Sequence, residues 1–127
     1  MIAMKELTRA EEEIMQVLWK LEKAFVKDVV DALPDPKPAY NTVSTIIRIL
    51  EKKGFVSHRA FGKTFEYFPQ VARDEYKKTF LKSFMNRYFG SSLKEMVSFF
   101  ASDRDISLEE LEHIQQLLHD EIRRQKK

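Results

Sequence analysis

The chain contains no cysteine. That excludes a disulfide framework, a thiolate nucleophile and a cysteine-ligated metal centre, and it suits a reducing cytoplasm. Histidine is scarce as well. Of three, His113 and His119 fall six residues apart, which on a helix turns them about 240° from one another, so they cannot share a metal ion. With three glycines there is no Gly-rich loop to cradle a phosphate, and no HExxH motif is present. An enzyme is therefore the weakest class of reading, and neither a metal nor a cofactor is expected. No stretch approaches the roughly 20 apolar residues that span a bilayer. Met1 to Leu7 shows no apolar run followed by a small-residue cleavage site. The expectation is a soluble cytoplasmic protein without membrane insertion.

A strong charge of one sign is also missing, since the net charge is only +2, but the distribution is uneven. Between Lys37 and Lys63 stand Lys37, Arg48, Lys52, Lys53, Arg59 and Lys63 against a single acid, Glu51, a local +5, while the other 100 residues net −3. A basic segment on an otherwise acidic chain fits a polyanionic partner. The 127 residues, 43% hydrophobic and 12% aromatic, suffice for one compact domain or two small ones.

Along the chain the helical signals come first. Thr8-Arg9-Ala10-Glu11 spells a capping box, and Ala10, Ile14, Val17, Leu18 and Leu21 follow at helical spacing. Trp19 lies off that stripe, placed to pack against a neighbouring element. After an apolar Ala24-Phe25-Val26, a short helix is expected over Lys27 to Leu33, closed by the prolines of Pro34 to Pro38. A third helix, from about Ala39 to Lys53, buries Val43, Ile46, Ile47 and Leu50 and stops at Gly54, where a left-handed residue is wanted. Then the period changes. Phe55 to Ala60 and Lys63 to Phe68 read as two strands around Phe61-Gly62. Three helices and a two-stranded hairpin in this order outline a winged helix-turn-helix.

The third helix offers Tyr40, Asn41, Thr42, Ser44, Thr45, Arg48 and Lys52 opposite its apolar stripe. Short hydroxyls and amides with one long cation suit base edges and phosphates in a major groove. His58, Arg59 and Lys63 on the hairpin would follow the phosphate backbone and make binding salt-dependent. The expected partner is double-stranded DNA. A winged helix that binds a protein instead is the competing reading.

After Pro69 the pattern is helical again. Tyr76, Phe80, Phe84 and Tyr88 recur every four residues, and Leu93, Met96, Val97, Phe99 and Phe100 make a second apolar face. Ser107 and Glu110 spell another capping box, ahead of a stripe of Leu108, Leu111, Ile114, Leu117, Leu118 and Ile122. Three short helices with such broad faces bury little alone. The expectation is therefore a mainly α chain with a small β-hairpin: a DNA-binding domain over 1–70 and a helical homodimerisation domain over 71–127. The dimer contacts are assigned to Tyr76, Phe80, Phe84, Tyr88, Leu93, Val97, Leu111, Ile114 and Leu118. A small-molecule pocket among the same aromatics, acting to release DNA, is the alternative use of these residues.

Several motifs in register resemble one family. Leu7-Thr8-Arg9-Ala10-Glu11 with Ile14-Met15 and Leu18-Trp19 is similar to the opening "LT-x-AE…VM…LW" of the penicillinase-repressor (BlaI/MecI) family of bacterial transcriptional repressors. Tyr40-Asn41-Thr42-Val43-Ser44-Thr45-Ile46-Ile47-Arg48 resembles its recognition helix, "YTTV-x-T-x-x-R", and "LEKKGF" and "GKTFEYFP" resemble its wing region. The likeness continues through "GSSL" and "SLEELEHIQQLL". It implies a homodimeric repressor on an inverted-repeat operator, released when a membrane-bound sensor metalloprotease cuts the dimerisation region. The family's Asn-Phe cleavage bond corresponds to Ser98-Phe99 here, with Phe99-Phe100 beside it. A copper-responsive branch of the family relies on C-terminal cysteines, which this chain lacks.

Overall fold

Thr8 opens the first helix with the box its neighbours spell. Its hydroxyl accepts from the Glu11 amide at 3.2 Å, and its own amide donates to Glu11 Oε1 at 2.8 Å. The computed structural model describes residues 6–127, and Met1–Lys5, where the first expected domain begins, lie outside the described residues. The elements are α1 (Arg9–Leu21), β1 (Ala24–Phe25), α2 (Val26–Ala32), α3 (Tyr40–Lys52), β2 (Val56–Phe61), β3 (Thr64–Pro69), α4 (Arg73–Phe89), α5 (Leu93–Ala101) and α6 (Leu108–Gln125). Two compact units are formed, Met1–Leu81 and Lys82–Lys127.

In the first unit α1 contributes Ile14, Met15 and Leu18 to the core, α2 Val29, and α3 Val43, Ile47 and Leu50, with Phe55, Val56 and Tyr67 from the sheet side. The α1 stripe is rotated from the one expected: Met15 is fully buried while Leu21 is exposed. α3 ends in a Schellman motif. The Phe55 amide bonds the Leu50 carbonyl at 2.9 Å and the Gly54 amide bonds the Glu51 carbonyl at 3.0 Å. Gly54 sits at φ +90°, a region a side chain rarely tolerates, and this turn swings Phe55 under the helix into the core.

The sheet has three antiparallel strands in the order β1-β3-β2, where two were expected. Ala24 pairs with Tyr67 and Phe25 with Glu66. Two residues carry no readable period, and their partner lies far along the chain, so β1 has no local signature. The hairpin closes on Phe61↔Thr64, with Gly62 at φ +62° in the turn. Helix, short strand, two helices and a hairpin on this sheet make a winged helix-turn-helix, in a chain that is mostly helical.

The first unit continues past residue 70 because Tyr76, 6% exposed, belongs to its core. Its ring meets Phe55 at 5.7 Å and Trp19 at 5.9 Å, and its hydroxyl accepts from the Leu7 amide at 3.1 Å. Trp19, expected to pack outside its helix, also donates to the Val71 carbonyl at 2.9 Å.

In the second unit Gly90 and Ser91 turn the chain with positive φ. Ser92 caps α5 by accepting from the Glu95 amide, and Ser107 caps α6 by accepting from the Glu110 amide, each at 3.1 Å. Neither α5 nor α6 buries a residue. Among the described residues no helix is long and apolar enough to cross a membrane.

Candidate nucleic-acid interface

α3 separates its two faces cleanly. Val43, Ile47 and Leu50 point into the core, while Tyr40, Asn41, Thr42, Thr45, Arg48 and Lys52 are exposed and Ser44 is half-buried. Its N-cap is Ala39, whose side chain has no acceptor, so the first-turn amides stay available to an external oxygen. The Thr45 hydroxyl donates to the Asn41 carbonyl at 2.9 Å, which leaves its lone pairs free to accept.

A cleft of about 420 Å³ lies between this face and the wing. Tyr40, Ser44 and Arg48 form one wall, Lys63, Thr64 and Phe65 the other, and Lys27 and Asp28 enter from α2. Tyr67, 3% exposed, contributes to the lining. Burial pushes the Tyr67 phenol above its ordinary range, Glu51 adds to this, and the neighbouring Arg48 guanidinium opposes it. Three cations, Arg48, Lys63 and Lys27, therefore border one concave surface, the arrangement a phosphate backbone requires.

The basic segment does not reach this surface entire. Lys37 caps α2, donating to the Asp31 and Leu33 carbonyls at 2.8 and 2.7 Å. Lys53 pairs with the buried Glu11 at 2.8 Å. His58, expected to touch phosphate, has its Nδ1 at 2.5 Å from Glu51 Oε2 and its ring stacked on Phe65 at 4.3 Å. Arg59 lies over the Phe61 ring at 5.6 Å. By register it faces away from the side of the wing that carries His58 and Tyr67. A carboxylate and an aromatic ring thus engage the two wing side chains expected to follow the phosphate backbone. Lys27, Tyr67 and Glu51 were not foreseen. Only a three-dimensional arrangement brings α2 and the floor of the sheet to α3, and no spacing in the sequence signals it.

The residues assigned to dimerisation divide. Tyr76 is withdrawn from that set, because the first unit's core encloses it. In the second unit Tyr88, Leu93, Val97, Ile114 and Leu118 are exposed, and Phe84 and Leu111 are half-buried. Phe80, in the first unit, is exposed, and its ring lies tilted 6.3 Å from that of Tyr76. Ser98, Phe99 and Phe100 all lie exposed within α5, not in a loop. No group of three or more His, Asp or Glu among the described residues is arranged to hold a metal ion.

Known proteins resemble this chain. The profile of the penicillinase repressor family matches residues 7–120. The penicillinase repressor of Bacillus licheniformis is 30% identical over 122 residues, 95% of each chain. The methicillin resistance regulatory protein MecI of Staphylococcus aureus (strain N315) is 27% identical over 115 residues, 90% of this chain and 94% of that one. Among solved structures, the solution structure of the DNA binding domain of the repressor BlaI superposes with a TM-score of 0.52 at 28% identity, covering 60% of this chain and 94% of that one.

Proposed function

The chain belongs to the penicillinase repressor family, whose members are DNA-binding repressors and not enzymes, and from that premise we propose that it represses transcription as a homodimer on an inverted-repeat operator. The observation that carries the reading is the cleft in which Arg48, Ser44 and Tyr40 of α3 face Lys63 of the wing. In a duplex α3 would enter the major groove, with Asn41, Ser44, Thr45 and Arg48 toward base edges. Lys63 and Lys27 would meet the flanking phosphates, and Tyr40, Thr42 and Lys52 would border the contact.

The unit that follows supplies the pairing. Leu93, Val97, Phe99, Leu117, Leu118 and Ile122 are exposed on α5 and α6, and exposed apolar side chains of this size suit an interface with a partner. A second copy has the same surface to offer, and the resulting two-fold symmetry would set two copies of α3 on two half-sites about 34–36 Å apart. Release follows on this reading from cleavage at Ser98–Phe99 or Phe99–Phe100 by a membrane-bound sensor metalloprotease. α5 must first unwind there, because a protease takes its substrate in extended form.

A gel shift titrated with salt tests the reading. Expected is a complex with a duplex selected from a random pool, weakening steeply as salt rises, together with a dimer in sedimentation. Binding that ignores salt, or none at low ionic strength, would remove the DNA function. An intact chain in induced cells would remove proteolysis and leave a small-molecule signal.

A further inference from the structure

The wing reaches the body of the protein through few bonds. β1 pairs with β3 only at Ala24↔Tyr67 and Phe25↔Glu66, so beyond Glu66 the hairpin is two-stranded, with Ala60↔Phe65 and Phe61↔Thr64 its last pairs. A two-stranded ribbon twists easily. The sheet therefore does not by itself fix how far the tip, with Lys63, leans toward α3.

Phe25 meets Phe61 at 5.8 Å on the face of the wing opposite His58; on the α3 side one chain of contacts spans the gap. Glu51 sits in the last turn of α3, three residues after Arg48 and so on the same side of the helix. Its Oε2 lies 2.5 Å from Nδ1 of His58 on β2. An ionised carboxylate only accepts, so Nδ1 is the donor in this contact. The His58 ring then stacks on Phe65 of β3 at 4.3 Å and 29°, and leans on Tyr67 at 5.7 Å. Phe65 is two residues from Lys63. The pair also occupies Glu51, the single acid between Lys37 and Lys63, which would otherwise face the phosphates with the wrong sign.

We propose that Glu51 and His58 are positioning residues for DNA recognition: they clasp the wing to the recognition helix through Phe65 and so set the distance between Lys63 and Arg48. This rests on the DNA-binding reading above and assigns a role that contact with DNA does not itself require.

The test is a double-mutant cycle on the full chain, with a duplex selected from a random pool by the wild-type protein and binding followed by anisotropy. His58→Ala is expected to weaken binding about tenfold while thermal melting shows a folded protein. Lys63→Ala is expected to weaken the wild type by a similar factor but to add about twofold or less in the His58→Ala background, because a tip that is no longer held makes no defined contact to lose. His58→Asn, whose amide nitrogen takes the place of Nδ1 and can still donate to Glu51, is expected to recover most of the affinity. Glu51→Ala reaches the same end from the other partner but also removes an acid near the phosphates, so it is read through the cost of Lys63→Ala in its own background. An equal cost of Lys63→Ala in the wild-type and variant backgrounds, or an affinity indifferent to His58→Ala, overturns the clasp and leaves the DNA reading standing. A wild-type chain that selects no duplex overturns the DNA reading, and the clasp with it.

Discussion

Lys53 Nζ lies 2.8 Å from each carboxylate oxygen of Glu11, so the end of the recognition helix is tied to the start of α1. Burial alone would push the Glu11 carboxyl up. The Lys53 ammonium and the Thr8 amide outweigh it and hold the group below its ordinary 4.5. A carboxyl depressed by folding stabilises the protein above its unfolded pKa, and that stability is lost as pH falls through the folded value. Glu11→Gln is expected to cost about 1–3 kcal/mol at neutral pH, with the gap to wild type closing on acidification below about pH 4. Urea melts at pH 7 and pH 3 measure it, and a gap that stays constant would show that Glu11 acts only through its shape.

Gly54 offers a backbone test of the same junction. Nothing lies within 4 Å of a Cβ placed there, so the cost of a side chain comes from φ +90° alone. Gly54→Ala is expected to lower stability by about 1 kcal/mol without changing DNA specificity. A larger loss accompanied by altered specificity would mean that the turn also sets the angle between α3 and the wing.

Arg48 and Lys63 face each other across the cleft but should fail differently. Arg48→Ala is expected to cost about 1–3 kcal/mol on the selected duplex and to relax discrimination at one base pair. Lys63→Ala should weaken selected and random duplexes alike and reduce the salt slope by about 1. Titrations of both variants over a range of salt concentrations separate the roles, and an Arg48→Ala protein with unchanged specificity would make Arg48 another phosphate contact.

These residues also show what a sequence can convey. The capping box at Thr8, the stop at Gly54 and the polar face of α3 were legible because each depends on residues within a turn or two of one another. β1 was not, since its pairing with Tyr67 is long-range. The fates of His58 and Lys53 were hidden for the same reason: a side chain in that segment looks available until folding supplies Glu51 or Glu11. Tyr76 fitted a row of aromatics four residues apart. The fold breaks that row, because Trp19 and Phe55 enclose its first member.

That break separates two kinds of damage that periodicity alone would equate. Tyr76→Ala removes a buried ring and a hydrogen bond from the first unit, and about 3–5 kcal/mol of stability should go with them. DNA binding would then fail because the winged domain unfolds. Leu118→Asp alters a side chain that is 50% exposed. It should leave the melting of the first unit in place while converting the sedimenting species to a monomer, since a carboxylate cannot be buried unpaired in an apolar interface. Operator affinity should fall with it, while affinity for a single half-site is kept. A Leu118→Asp protein that still sediments as a dimer would move the interface off α6, toward the exposed side chains of α5.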